Sequence, residues 1–178
     1  MDQPPPPPSE DSPDLVELLQ ADHARMADVL SSADSGALVS ELSAHLVAES
    51  QLLYPALRRA VPDVDFAVDQ LLETDHRLEE LLAGVDGHQP ETAVLAEVRT
   101  LFLEHVRQQD ALFPELRLRA DPGELRQLGD TLGPTIMEAP THPHPHLPRE
   151  GAFEVISDAV ASSVDHVRDA LKRDDEQR

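Results

Sequence analysis

The chain reads as an all-α protein: an up-down-up-down antiparallel four-helix bundle, then a C-terminal proline-rich strap and amphipathic helix. Three observations predict this. Apolar residues recur at three- and four-residue intervals in four successive segments, the spacing that lines one face of an α-helix. Short turn-forming stretches join the segments, which favours antiparallel neighbours. The strict alternation that marks a half-buried strand competes nowhere along the chain.

Residues 1–12 hold a proline run from Pro4 to Pro8. Such a run favours an extended, solvated conformation and cannot pack a core, so this segment is expected to be disordered. Ser12-Pro13-Asp14 opens the first helix, with proline at its first position and an acid in its first turn. That helix runs from about Asp14 to Leu30 and aligns Leu15, Leu19, His23, Met26 and Leu30. The second runs from about Gly36 to Ala60, striped by Leu38, Leu42, His45, Glu49, Leu52 and Ala56. Pro55 must kink or interrupt it, because proline removes a donor and crowds the preceding turn.

Pro62 and Asp63 open the third helix, which carries Phe66, Leu71, Leu72, His76, Leu78 and Leu82 and ends at Gly84. A turn at residues 86–90, which includes His88, leads to the fourth, from about Glu91 to Arg119. Its apolar residues include Val98, Phe102, Val106 and Phe113, with His105 among them. The bundle thus spans residues 13–120. A short helix is expected within 121–133, a Pro/His-rich linker over 134–151, and an amphipathic helix within 152–178. The stripe of that last helix, from Phe153 to Leu171, needs burial against the bundle or against a second copy in a homodimer.

Thirty-five acidic against 14 basic residues give a formal charge of -21, which argues against nucleic acid or an anionic membrane surface as partner. The absence of cysteine excludes disulfides, thiolate zinc sites and iron–sulfur ligation. The N-terminus lacks the basic start and apolar core of a signal peptide, and no apolar run reaches the roughly 18–20 residues of a membrane span. A cytoplasmic protein is expected. A single lysine, Lys172, beside many arginines and abundant Ala and Leu suggests a bacterial source.

The informative oddity is that His23, His45, His76 and His105 interrupt apolar patterns on four successive helices. A buried imidazole needs a partner, and four of them can share one metal centre. Glu49 lies at i+4 from His45, on the same helical face. Asp110 lies five residues past His105, a rotation of about 140° that would set the two on either side of the inward line. Gln109, at i+4, is the weaker neutral alternative, and Asp110 is preferred. Imidazole with carboxylate suits iron, manganese or zinc and disfavours Mg or Ca. The chain also repeats itself: Asp22-His23 is echoed by Asp75-His76, and the His45–Arg58 stretch by His105–Arg117, the second copy one residue shorter between His and Pro.

Leu19-x-x-Asp22-His23, His45-x-x-x-Glu49 with Tyr54-Pro55-x-Leu57-Arg58, Asp75-His76-x-x-x-Glu80, and His105 with Phe113-Pro114-x-Leu116-Arg117 together resemble the hemerythrin-like HHE cation-binding domain over residues 14–119. The resemblance implies a four-helix bundle holding two iron ions (Fe2+/Fe3+), oxo- or hydroxo-bridged. It implies binding or sensing of O2, peroxide or NO, or iron handling. His23, His45, His76 and His105 are then terminal ligands, and Glu49 and Asp110 bridge the irons. Two features depart from the family pattern: Gln109 stands where many members have Glu, and the oxygen carriers have two histidines four apart on helix three, where this chain has only His76, with Leu72 one turn before and Glu80 one turn after.

Glu80 is read chiefly as a solvated side chain, with coordination as the alternative. Tyr54 either packs at the bundle end or hydrogen-bonds near the site. His142, His144 and His146, alternating with proline, read as a strap rather than a metal site. Two other functions stay open: the same centre as an enzyme decomposing peroxide or oxidising ferrous iron, and a helical interaction module with a vestigial site.

Overall fold

The computed structural model describes residues 9, 11–31, 35–85, 92–139 and 143. Among them all regular structure is helical, and no helix is long and apolar enough to cross a membrane. The Pro4–Pro8 run, His88, the strap histidines and the helix expected within 152–178, with its dimer contact, lie outside the described residues.

Helix α1 spans Leu15–Val29. Its cap is Asp14 and its first residue Leu15, two residues later than a start with Pro13 at the first position. The Asp14 carboxylate accepts from the Glu17 N–H at 2.8 Å, and Glu17 accepts in return from the Asp14 N–H at 3.2 Å. This reciprocal box satisfies two of the donors that a helix start leaves unpaired. Arg117 donates to the same Asp14 carboxylate at 3.0 and 3.1 Å, tying the end of the fifth helix to the start of the first.

The second segment is helical without a break from Ser35 to Ala60, but in three parts: α2 (Ser35–Ala48), a π-helical turn (Glu49–Leu53) and α3 (Tyr54–Ala60). In the π turn the Tyr54 N–H donates to the Glu49 carbonyl, five residues back instead of four. Pro55 follows directly, in the first turn of α3. The interruption expected at Pro55 is therefore a widened turn just before it. Here the first sequence repeat carries its extra residue; the shorter second repeat crosses Phe113-Pro114 inside the single long helix α5 (Thr92–Arg119). Between them lies α4 (Asp65–Val85), preceded by Asp63 in a left-handed turn at φ 56°, a conformation that Asp tolerates better than most residues.

Helix α6 runs Pro122–Glu138, longer than the sequence suggested: it passes through Pro134, where the linker was expected to begin. Asp121 caps it by accepting from the Glu124 N–H at 3.0 Å. Phe66, counted in the apolar pattern of helix three, is 76% exposed.

The apolar side chains form two clusters rather than one. Leu15 and Leu19 of α1, Leu53 and Leu57, Val68 and Leu71 of α4, and Phe113 and Leu116 of α5 belong to the first, which Leu125 and Leu132 of α6 join. Met26, Leu38, Leu42, Leu78, Leu82, Val98 and Phe102 belong to the second. Successive segments pass through the clusters in opposite order, as helices of alternating direction do. Each crosses between them at buried polar residues: His23 on α1, His45 and Glu49 on the second segment, Asp75 on α4, His105 and Gln109 on α5.

Helix α6 approaches α1 through Gly129, where an added Cβ would lie 2.7 Å from the Pro13 carbonyl oxygen. Backbone cannot swing aside as a side chain can. Gly129→Ala is therefore expected to destabilise by about 1–3 kcal/mol, despite the roughly 1 kcal/mol that alanine gains over glycine in a helix. Gly84→Ala on α4, with nothing within 4 Å, is expected to be neutral or stabilising. Denaturant unfolding of the two variants checks this, and a stable Gly129→Ala protein would refute the close packing.

Candidate metal centre

Glu49 stands at the middle of the polar layer, fully buried. Its Oε1 lies 3.1 Å from His23 Nε2 and 2.9 Å from His45 Nε2, while its Oε2 lies 2.9 Å from His105 Nε2. Three imidazoles from three helices thus converge on one carboxylate, two on one oxygen and one on the other. The π turn begins at Glu49 itself, so the extra residue of the first repeat falls between this carboxylate and Tyr54. Single-turn π segments of this kind recur at functional sites.

Behind the imidazoles stands a pair of carboxylates, Asp22 and Asp75. His45 Nδ1 hydrogen-bonds Asp22 Oδ2 at 2.6 Å, and Asp22 also accepts from Arg25 at 2.6 and 2.9 Å. His105 Nδ1 approaches Asp75 Oδ1 at 3.0 Å, off the hydrogen-bond axis. Asp75 Oδ2 accepts from the Tyr54 hydroxyl at 2.6 Å. The two Asp-His dipeptides of the repeat therefore do matching work: the Asp of each braces the far nitrogen of the histidine on the next helical segment. Holding Nδ1 in this way turns Nε2 toward Glu49.

Of the residues expected at the site, His23, His45, Glu49 and His105 come together. His76 does not join them: it is partly exposed, with Nε2 3.5 Å from Glu80 Oε1, and Glu80 also pairs with Arg77. Asp110 is exposed and accepts from Gln20 at 3.5 Å. The 140° offset of Asp110 from His105 carries it to the outer surface, and Gln109, one turn on and the alternative to it, faces inward. Gln109 is fully buried, with Nε2 2.9 Å from His105 Nε2 and 3.4 Å from the Tyr54 hydroxyl. Tyr54 is likewise buried, and it serves Asp75 as a hydrogen-bond donor.

Asp22 and Asp75 were not among the residues expected at the site. One signal could have found Asp75. The stripe of α4 runs Leu71, Asp75, Leu78, Leu82, and His76 falls beside it. The same count on α5, Phe102–His105–Gln109–Phe113, selects Gln109 over Asp110.

The electrostatics follow from burial around one carboxylate. Burial works against charge on His45, but the Glu49 carboxylate and the Asp22 hydrogen bond outweigh it and hold its pKa at about 9. His105 is held at about 10 against the same burial by Glu49 and Asp75. Glu49, though burial pushes it up, is held well below the carboxylate range by His45 and His105. Burial raises Asp75, and it raises Tyr54 further, helped by the charges of Asp75 and Glu49. Phe102 closes the site on the apolar side, its ring centroid 5.8 to 6.2 Å from the rings of His23, His45 and His105.

The donor set fits a metal. His45 Nε2 and Gln109 Oε1 are buried without a hydrogen-bond partner. Two sets of three, His23–His45–Glu49 and Glu49–Asp75–His105, each place their ligand atoms within 4.8 Å of one another and share Glu49. Two ligands about 2.1 Å from one metal and at right angles to each other lie about 3.0 Å apart, close to the separations around Glu49. Imidazole with carboxylate matches iron, manganese or zinc rather than an all-oxygen cation.

Fold and site together define a helical protein with a buried imidazole–carboxylate cluster able to hold a cation. The family model described as the hemerythrin HHE cation binding domain matches residues 14–116, and the chain belongs to that family. No curated protein and no solved structure matches the chain.

The sign of the pH dependence follows from the raised imidazoles. In metal-free protein their pairing with Glu49 contributes stability that is full below the ordinary imidazole pKa of 6.5 and lost as pH rises through about 9 and about 10. The melting temperature of chelator-treated protein is therefore expected to fall between pH 7 and pH 10. Because metal requires neutral imidazole, uptake at pH 7.5 should release up to about two protons. Calorimetry in buffers of different ionisation enthalpy measures this, and uptake without proton release would contradict the charged network.

Proposed function

We propose that the chain is a non-haem diiron protein that binds or senses O2, peroxide or NO, or handles iron. One observation carries this reading. Glu49 presents one oxygen to His23 and His45 and the other to His105, the arrangement expected of a carboxylate shared by two metals. The iron pair, when bound, supplies redox chemistry and open coordination positions for a small ligand. The protein supplies the rest: His23, His45 and His105 hold the metals, Asp22 and Asp75 fix the orientation of His45 and His105, and Phe102 and Phe113 keep the surroundings apolar.

Iron-loaded protein is expected to show a visible absorption band that dithionite removes and air restores. His45→Ala and Glu49→Ala should each abolish tight binding of at least one metal. Unchanged iron content in both variants, measured after dialysis, would overturn the assignment.

A further inference from the structure

We propose that the two metal positions are unequal by construction: the His23–His45 side holds its ion tightly, and the His105 side holds an exchangeable one, with Gln109 setting the difference. This rests on the metal-binding reading above. The two sequence repeats place equivalent residues around Glu49, yet they differ at the atoms that meet a cation. The first repeat supplies two imidazole nitrogens to one oxygen of Glu49; the second supplies only His105 to the other. His76, the counterpart of His23, lies partly exposed beside Glu80. Gln109, the counterpart of Glu49 one turn past the helix histidine, is a neutral amide with its oxygen unpartnered. Asp75 gives one oxygen to the Tyr54 hydroxyl, and its other oxygen, Oδ1, stands unpartnered beside His105.

Charge makes the second ion costly, whichever position it enters. Among the described residues the buried carboxylates are Glu49 and Asp75, while the less buried Asp22 is paired with Arg25. Two buried negative charges balance one divalent ion, and a second ion enters a site where uncompensated charge is costly. A carboxylate at position 109 would supply both the missing charge and a second shared ligand.

The test is titration of chelator-stripped full-length protein with Co(II), followed by calorimetry and by the visible bands of the bound ion. The wild-type chain is expected to take one tight equivalent, then a second at least about tenfold more weakly. Gln109→Glu should tighten the second step by at least about tenfold, and His105→Ala should remove it and keep the first. Two indistinguishable equivalents in the wild-type chain would overturn the proposal while leaving the metal-binding reading intact. So would an unchanged second step in a Gln109→Glu variant whose circular dichroism and melting curve show it folded. If no Co(II) binds at all, the underlying reading fails and this one with it. Should the variants not fold, the two-step wild-type titration decides alone.

Discussion

The described helices are arranged around a carboxylate kept charged out of water. Glu49 is fully buried, which alone would favour its neutral form, and it stays ionised because imidazoles from three helices surround it. The same constraint divides the core. Apolar side chains cannot solvate that charge, so they gather above and below it in two clusters, and each main helical segment gives up its apolar stripe for a turn where it crosses the layer.

The internal repeat explains how such a layer is built from local sequence. Each half brings an Asp-His pair on one helix and a His with an i+4 polar residue on the next, and the Asp braces the histidine of that neighbour. The halves then diverge. The first carries an extra residue, accommodated as a π turn starting at the shared carboxylate, and ends on a tyrosine whose hydroxyl reaches Asp75 in the other half. The second lacks that residue, and its Phe113 stacks on His23 with ring centroids 6.3 Å apart. Each half thus lends an aromatic residue to the other.

The helices and three of the histidines were legible because periodicity and burial speak together: a residue on an apolar stripe that cannot be apolar must have a partner. His23, His45, Glu49 and His105 all sit on their stripes. Two expected residues depart from that count. Asp110 offers a charge but lies off the face that Gln109 continues, and His76 offers an imidazole while Asp75 holds the inward position. Bracing by Asp22 and Asp75 acts between helices and has no sequence spacing to reveal it. The passage of α6 through Pro134 was hidden because a proline ordinarily ends such a pattern.

The family match stops at residue 116, but the first apolar cluster does not. Leu125 and Leu132 complete it from α6, Gly129 lets that helix lie against the backbone entering α1, and Arg117 holds the cap of α1 from just past the match. The folding unit is therefore longer than the matched module. A fragment cut at the boundary of the match would keep every residue that faces Glu49 and still lose part of the apolar packing beneath the centre, so recombinant domains are better bounded at Glu138 than at Leu116.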